Sequence, residues 1–424
     1  MQLRYNFRIY PGPGQRIALA QAFGCARAVF NDALALREAA YRAGEPYILD
    51  KDLSRLVITE AKTRPEREWL GGVSAVVLQQ ALADLNTAYR NYFASRNGTR
   101  KGPKMGRPKY RSRKDRRQSV RFTRNARFAI TPGGKVRLPK IGDVQVRWSR
   151  DLPSDPSSVT VIKDAGGRYF ASFCVSTEPE PLPETVGEVG IDLGLRHFAV
   201  LSDGTKISNP RWLRRRERRL KTLQKALSRK EKGSKNREKA RIALARQHAK
   251  VTDARREFHD QLSTWLVRDN QAVYAETLNI KGLARGNLAK SIHDAGWGRF
   301  LAMLESKASR HGRTFIRVGR NFPSSQLCSA YGHRDGPKPL KIRVWTCPAC
   351  QAVHDRDINA SANVRAEGRR LTGYTPITVA AGRQTTPGTG SGAETQNACG
   401  DAVRPPFTVA RVREAGTHQK PRAA

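Results

Sequence analysis

Three acidic residues stand where a folding chain rarely places a charge, and they constrain the fold more than any other feature. Asp192 interrupts the apolar run VGIDLG at residues 189–194, and Glu276 interrupts AVYAETL at residues 272–278. Asp357 opens a predicted helix in HDRDINAS at residues 354–361. Burying a carboxylate costs several kcal/mol unless it is paired or binds a metal. Each of the three therefore needs a partner, and Mg²⁺ readily accepts oxygen ligands from separate elements.

The spacing of these acids is compatible with a single site. Asp192 and Glu276 are 84 residues apart, and Glu276 and Asp357 are 81 residues apart, so each belongs to a different element. Two Mg²⁺ ions about 4 Å apart catalyse phosphodiester hydrolysis when several carboxylates hold them. An RNase H-like α/β fold supplies such a site from two strands and a helix. An edge-facing or salt-bridged acid is the alternative for each residue. Asp355 competes with Asp357 as the third ligand, but we interpret Asp357 as the ligand and Asp355 as the helix cap or as a residue that supports the ligands.

The charge of the chain points to a polyanionic partner. The 424 residues include 78 Lys and Arg against 37 Asp and Glu, a formal net charge of +41. Such a chain repels itself and attracts nucleic acid. Its length predicts two or three domains.

Neither a membrane span nor a signal peptide is recognisable in the sequence. We therefore expect a cytoplasmic, nucleoid-associated protein without a membrane partner. In that compartment six cysteines indicate reduced thiols or a metal site, not a disulfide framework.

The N-terminal half combines helices, a basic loop and strands. Leu19, Phe23, Phe30 and Leu34 share one helical face, and a second helix carries the apolar series Leu78, Leu82, Leu85, Tyr89 and Tyr92. Residues 96–117 hold 11 basic side chains and one acid. This composition indicates a loop that binds the phosphate backbone of a nucleic acid. A run of charges that is only solvated is the alternative. Residues 120–180 then alternate with a period of two, which predicts a small β-barrel closed by the N-terminal strand.

A second fold begins at Val189 with a strand and a glycine turn. Residues 211–250 carry 17 Lys and Arg against three Glu, with leucines at 213, 220, 223 and 227, and indicate a basic antiparallel helical hairpin. From these two basic segments we predict a set of nucleic-acid-binding residues: Arg107, Lys109, Tyr110, Arg111, Arg214, Arg215 and Arg218.

The cysteines form an incomplete metal-binding pattern. Cys328 lies 19 residues before Cys347, which with Cys350 forms the pair CPAC. This resembles a zinc ribbon in which Tyr331 stands in place of the second cysteine. Zn²⁺ is therefore a candidate cofactor with three thiolates, and His333 or a water is the candidate fourth ligand. A ribbon held by packing alone is one alternative, and a redox-active Cys-x-x-Cys pair is another.

The order of these motifs resembles the TnpB family of transposon-encoded RNA-guided DNA endonucleases, which are related to type V CRISPR nucleases. The likeness is dense over residues 187–365 and extends loosely to FGCARAVFN (23–31) and GRPKY (106–110). Its strongest motifs are GIDLG (190–194), ETLNIKG (276–282), DAGWG (294–298), FPSSQLC (322–328), WTCPAC (345–350) and HDRDINA (354–360). Tyr331 and Gln351 depart from the family pattern. Both lie in the cysteine-containing segment, so these departures bear on zinc binding and not on the carboxylates.

The resemblance implies a multidomain α+β and α/β architecture. A helical recognition module is inserted into a wedge-like β-barrel, and an RNase H-like (RuvC) domain with a zinc-ribbon-like insertion follows. The expected boundaries are 1–12 and 118–181 for the barrel, 13–117 for the recognition module, 187–320 and 353–370 for the RuvC-like domain, 321–352 for the insertion, and 371–424 for a disordered tail.

The resemblance also implies partners and roles. The partners are a guide RNA from the transposon end and double-stranded target DNA, cut next to a short transposon-adjacent motif. Asp192, Glu276 and Asp357 match the catalytic carboxylates that hold two Mg²⁺ ions. Base pairing between the guide RNA and the target DNA would recognise the sequence, while the protein binds the nucleic-acid backbone.

Three other functions compete with this interpretation. GIDLG also opens actin-like ATPases and sugar kinases, but the sequence has no second phosphate loop or adenosine motif. Some relatives have lost nuclease activity and act as RNA-guided DNA-binding repressors; such proteins usually lack one or more of the acids. An accessory transposase-type DNA-binding protein is the third alternative.

Overall fold

The computed structural model describes residues 1–339, 341–373 and 409–411, and these form two compact units. The first unit is Met1–Glu178, and the second begins at Pro179. No helix of the described part combines the length and the apolarity that crossing a bilayer requires.

The first unit contains one antiparallel sheet of seven strands in the order β2-β6-β7-β1-β5-β4-β3. The strands are β1 (Gln2–Tyr10), β2 (Gln118–Thr123), β3 (Ala129–Ile130), β4 (Lys135–Leu138), β5 (Gly142–Arg147), β6 (Ser158–Lys163) and β7 (Tyr169–Ser176). We expected β1 to close a barrel. It lies instead in the middle of the sheet, because it pairs with both β7 and β5. The edge strands β2 and β3 are not paired with each other in the described ladder, so the sheet is open.

The helices of this unit are α1 (Pro13–Arg42), α2 (Asp50–Ser54) and α3 (Ala75–Arg96). Pro13 occupies the first helical turn of α1, and the Gln15 side chain accepts a hydrogen bond from the Gly12 N–H. The predicted face of α1 is confirmed, since Leu19, Phe23, Phe30 and Leu34 are buried in the core. Of the α3 series, Leu78, Leu82 and Leu85 are buried in the same core and Tyr89 packs against it, whereas Tyr92 is half-buried and lies outside it. Residues 97–117 form neither helix nor strand, as their composition predicts.

The second unit is built on a mixed six-stranded sheet in the order β12-β11-β8-β9-β10-β15. The parallel strands are β8 (Glu188–Leu193), β11 (Ala272–Glu276) and β12 (Thr314–Val318). The strands β9 (His197–Leu201), β10 (Thr205–Ser208) and β15 (Val409–Arg411) continue the sheet antiparallel. A separate hairpin consists of β13 (Val344–Thr346) and β14 (Val353–Asp355).

In the described part of this unit, six helices accompany the sheet: α4 (Trp212–Ser228), α5 (Lys235–Asp269), α6 (Ile280–Leu283), α7 (Ala289–Ala295), α8 (Trp297–Arg310) and α9 (Arg356–Thr372). The break predicted between the two basic helices is confirmed, since α4 ends at Ser228 and Ser234 caps α5 by accepting the Arg237 N–H. Helix α5 then runs on through Phe258, Leu262 and Leu266 into the core.

The disorder predicted for residues 371–424 lies largely outside the described residues. Within that range, 371–373 end α9, and Val409–Arg411 pair with Thr205–Ile207 of β10.

Candidate active site

Asp192 and Glu276 are neighbours on adjacent parallel strands. Ile191 of β8 pairs with Ala275 of β11, so the next step along both strands brings Asp192 beside Glu276. Neighbouring strands lie about 4.8 Å apart, and residues level with each other in a parallel ladder face the same side. Both carboxylates therefore emerge from one face of the sheet near the carboxyl ends of the two strands.

Helix α9 brings Asp357 to that same face. Gly190 has no room for a Cβ, because Ser361 and Arg365 of α9 lie directly against it. Asp192 is two residues beyond Gly190, about 6.6 Å along the strand. Asp357 is one helical turn, about 5.4 Å, before Ser361. The close approach at Gly190 thus sets the start of the helix level with Asp192.

The pKa values report how these carboxyls interact. Burial raises the pKa of Asp192 well above its usual range, and the charges of Glu276 and Asp357 raise it further. Burial also raises the pKa of Glu276, while a hydrogen bond from Ser324 opposes that rise. Three carboxyl groups this close repel one another when all are ionised. A bound cation would allow all three to be charged at the same time. The donors are all carboxylate oxygens, which fits Mg²⁺.

Asp355 caps helix α9, as the sequence predicts. Its Oδ1 accepts the backbone N–H groups of Asp357 at 3.0 Å and Ile358 at 3.2 Å. Its Oδ2 accepts a hydrogen bond from Lys206 Nζ at 2.6 Å. Burial alone would raise the pKa of Asp355, but the hydrogen bonds from Lys206 and the Ile358 N–H hold it below its usual range. Asp355 is therefore engaged on both oxygens, whereas the charge of Asp357 acts on Asp192.

Sequence reasoning missed three residues that contact the acids. Arg343 Nη1 lies 3.3 Å from Asp357 Oδ1, Ser324 donates a hydrogen bond to Glu276 Oε1, and Lys206 contacts Asp355. Ser324 stands inside the FPSSQLC motif, so that motif was the available signal. Arg343 and Lys206 come from separate elements, and no spacing in the chain connects them to an acid.

The three cysteines of the metal-binding pattern come together. The Sγ atoms of Cys328, Cys347 and Cys350 all lie within 4.8 Å of one another. Burial opposes ionisation of Cys347, but the N–H groups of Cys350 and Ala349 outweigh it and lower its pKa. The hydrogen bond from the Ala352 N–H alone would lower the pKa of Cys350, but burial and contacts with the other two thiols outweigh it and raise that pKa. The compact set of three thiols, of which Cys347 has the lowered pKa, fits a soft divalent cation such as Zn²⁺.

The residues around this cluster bear on its fourth ligand. Tyr331 is 69% exposed. His354 is buried, and its Nε2 lies 3.1 Å from Cys328 Sγ. His333 contacts the cluster through its backbone oxygen, which accepts a hydrogen bond from the Cys328 N–H at 2.9 Å. The contact between His354 and Cys328 was not anticipated, although His354 opens the HDRDINA motif.

The predicted nucleic-acid-binding residues of the basic loop differ in their surroundings. Lys109 is exposed. Arg107 stacks over the Tyr41 ring at 4.7 Å, and Tyr110 donates a hydrogen bond to Glu38. Arg111 anchors the loop, since its guanidinium lies 3.9 Å from the Phe30 ring centroid and 3.0 Å from Asp84.

The three arginines predicted on the helical hairpin are all exposed: Arg214, Arg215 and Arg218 of α4. The start of that helix is fixed by Asp294, which is buried and accepts the Leu213 N–H at 2.9 Å. Arg255 of α5 pairs with the same carboxylate at 2.9 Å. This contact gives the DAGWG motif a structural role that the sequence alone did not reveal.

Comparison with known proteins identifies the family. Residues 172–287 match the OrfB family of IS605 elements, described as "Probable transposase", residues 297–364 match a "Cas12f1-like, TNB domain", and residues 1–46 match a "Helix-turn-helix domain". A protein of Streptomyces pristinaespiralis named "Putative RNA-guided DNA endonuclease" is 40% identical over 424 residues, with 99% of this chain and 96% of the relative covered. The chain belongs to the OrfB/TnpB family.

A more distant TnpB relative is InsQ of Escherichia coli K12, which carries the same descriptive name. It is 27% identical and the match covers 87% of this chain and 92% of InsQ. Among solved structures, the fold is similar to Cas12f1 in a cryo-EM complex with sgRNA and target DNA. The TM-score is 0.50 at 14% identity, with 83% of each chain covered. The TnpB chain therefore shares its mixed helix and sheet fold with Cas12f1.

Proposed function

We propose that this TnpB chain is an RNA-guided DNA endonuclease, encoded by a transposon, that cuts DNA next to a short adjacent motif by Mg²⁺-dependent hydrolysis. The observation that carries the proposal is the convergence of Asp192, Glu276 and Asp357 at one face of the sheet, where the other two charges raise the pKa of Asp192. The relatives' names and the nucleic acids in the Cas12f1 complex support RNA and DNA as partners.

The roles of the residues follow from their chemistry. Bound Mg²⁺ would supply activation of the attacking water and charge stabilisation at the leaving 3′-oxygen. Asp192, Glu276 and Asp357 would hold the ions, and the rigid strand pairing fixes the first two side by side. Asp355 would keep the start of α9 in place through its two backbone hydrogen bonds. Arg343, which pairs with Asp357 at 3.3 Å, would balance part of the negative charge of the site.

The finer architecture is part of the same proposal. We assign the sheet with α9 to an RNase H-like (RuvC) domain, the sheet of the first unit to a wedge-like domain, and α1 to α3 to the recognition module. Residues 321–352 would form the zinc-ribbon-like insertion. The parallel strands β8, β11 and β12 and the carboxylates on two strands and one helix support the nuclease assignment.

The test starts from the protein as it is expressed. RNA that copurifies with it is sequenced, and a DNA duplex matched to that guide is incubated with the ribonucleoprotein and Mg²⁺. We expect cleavage that requires the metal and the match. Asp192→Asn, Glu276→Gln and Asp357→Asn, which preserve shape, should each lower the rate at least about 10³-fold because a metal ligand is lost.

The matched control is Asp269→Asn, a half-exposed carboxylate at the end of α5 that pairs with Arg268. It should cleave like the wild type. Guided binding without cleavage by the wild-type protein would identify a nuclease-silent repressor. Binding of DNA that does not depend on the RNA would favour the accessory transposase-type role.

A further inference from the structure

A short segment, residues 324–329, connects the acidic site with the cysteine cluster. It begins with Ser324, whose hydroxyl donates to Glu276 Oε1, and it contains Cys328, one of the clustered thiols. Ser324 and Cys328 are both buried. We call this segment the 324–329 strap. Its length places only three residues between the serine at the carboxylate and the cysteine at the cluster.

The strap is fixed to helix α9 by two buried asparagines. Asn363 Nδ2 donates to the backbone oxygens of Ser324 and Leu327, both at 2.8 Å. Asn359 Nδ2 donates to the Leu327 oxygen at 2.7 Å, and Asn359 Oδ1 accepts the Ser329 N–H at 2.8 Å. The two asparagines are one turn apart and therefore share one face of the helix. The helix that carries Asp357 thus also holds the strap.

These contacts give Ser324 a defined effect on Glu276. Carboxylates that bind metals depend on outer hydrogen bonds to orient them, and loss of such a partner commonly lowers metal affinity 10- to 100-fold. Ser324 is itself immobilised through its backbone oxygen, so its hydroxyl is held against Oε1. A shift of the strap would therefore move the donor away from the carboxylate.

We propose that Ser324 is a positioning residue for Glu276, and that a metal bound by the cysteine cluster acts through the strap to hold that serine in place. Occupancy of Cys328, Cys347 and Cys350 would then set the affinity of the acidic site for its catalytic cations. This inference rests on the proposed function, since it takes Glu276 as a metal ligand.

The first experiment compares Ser324→Ala, Ser324→Thr and Ser325→Ala in the purified ribonucleoprotein. Half-saturating Mg²⁺ is measured in cleavage of matched DNA, and Mn²⁺ binding is measured directly by the EPR signal of the free ion. We expect Ser324→Ala to need about 10-fold more of either metal. Threonine keeps the hydroxyl donor and should restore most of the affinity. Ser325, whose side chain makes no hydrogen bond within the described part of the chain, is the matched control and should behave as wild type.

The second experiment tests the connection to the cysteines. Cys328→Ser should lower the zinc content and raise half-saturating Mn²⁺ in the same direction as Ser324→Ala. The double variant carries both Cys328→Ser and Ser324→Ala. If the cluster acts through Ser324, this variant should bind Mn²⁺ no more weakly than the weaker-binding single variant, because both changes remove the same effect. Should Cys328→Ser fail to fold, zinc chelation replaces it: chelation should weaken Mn²⁺ binding by the wild type but not by Ser324→Ala.

The outcomes separate the two proposals. A wild-type complex that does not cleave contradicts the proposed function. Cleavage by the wild type, with Ser324→Ala showing unchanged metal dependence, overturns the role of Ser324 alone. Additive effects of the two substitutions, or a protein that purifies without zinc, overturn the connection through the strap.

Discussion

Gly368 of helix α9 lies directly against the ring of Tyr274 on strand β11, with no space between them for a Cβ. The same helix meets Gly190 of β8 through Ser361 and Arg365. These two glycine contacts, one at β8 and one at β11, therefore let α9 approach the sheet closely. Because Asp357 is on the first turn of α9, the position of a candidate metal ligand depends on contacts that lie well away from it.

The first prediction concerns Gly368→Ala. Alanine normally stabilises a helix interior by about 1 kcal/mol relative to glycine. Here the methyl group would overlap Tyr274, and overpacking of this kind typically costs 1–3 kcal/mol or more. Urea unfolding should show a net loss of stability and reduced cleavage. Gly24→Ala in α1, where nothing lies within 4 Å of the added methyl, is the control and should be neutral or stabilising. Equal effects at both positions would contradict the steric argument.

The second prediction concerns the buried carboxylate of Asp294. Asp294→Ala removes the acceptor for the Leu213 N–H and leaves Arg255 without its partner. We expect a loss of about 2–4 kcal/mol in the free energy of unfolding, from the lost cap and the unpaired charge. Asp269→Ala removes a half-exposed pair and should change stability by less than about 0.5 kcal/mol. A small effect at Asp294 would show that α4 does not need this cap.

The third prediction is a pH dependence of stability. Burial lowers the pKa of His259 to about 4, and its Nε2 lies 2.9 Å from the Ala295 oxygen. Between pH 6.5 and 4 the unfolded chain binds a proton that the folded chain does not, so stability falls as the pH falls. The contribution is at most about 3 kcal/mol. The measurement is the free energy of unfolding in urea at several pH values across this range. In His259→Gln this free energy should fall less as the pH falls, whereas the variant His248→Gln, at an exposed position, should keep the wild-type pH dependence.

The fourth prediction concerns salt. If Arg214, Arg215 and Arg218 contact phosphates, replacing all three with Gln should reduce the slope of log binding constant against log salt by about 2–3. Filter binding of the guide RNA and of matched DNA at several salt concentrations measures that slope. A triple Gln variant of the exposed residues Arg124, Lys135 and Lys140 has the same change in charge. A slope that falls equally in both variants would indicate a general charge effect.

The fifth prediction concerns zinc. Metal analysis of the purified protein should find about one zinc per chain. Cys347→Ser should lower that content, and His354→Ala should weaken zinc binding if the Nε2 near Cys328 completes the site. Cys25→Ser, a buried cysteine of the other unit, is the control and should retain zinc. A wild-type zinc content near zero would show that packing alone holds the ribbon.

Elements that depend on local pattern could be predicted from the sequence. The α1 and α3 faces, the α4–α5 break and the alternating strands each follow from a period visible within a few residues. The acids could be found because a charge inside an apolar strand conflicts with burial. The Asp355 cap was also predictable, since it depends on a residue next to its helix.

Contacts that depend on tertiary structure could not be predicted. Lys206 is 149 residues from Asp355 and Arg343 is 14 residues from Asp357, and neither separation matches a local pattern; only the sheet and the hairpin bring these groups close. The position of β1 was also misjudged, because alternation identifies a strand but not the strands with which it pairs. His354 went unnoticed for a different reason: its spacing from the cysteines does not follow a familiar ligand pattern.

The parallel register of β8 and β11 has a consequence for how this family can change length. Deleting one residue on the amino-terminal side of Asp192 within its strand would turn the carboxylate to the opposite side, and the same holds for Glu276. Residues 229–234, the turn between α4 and α5, belong to neither a strand nor a helix and face no such restriction. Insertions should therefore accumulate in that interval, and a tag or an additional module placed at the α4–α5 turn should leave the chemistry intact.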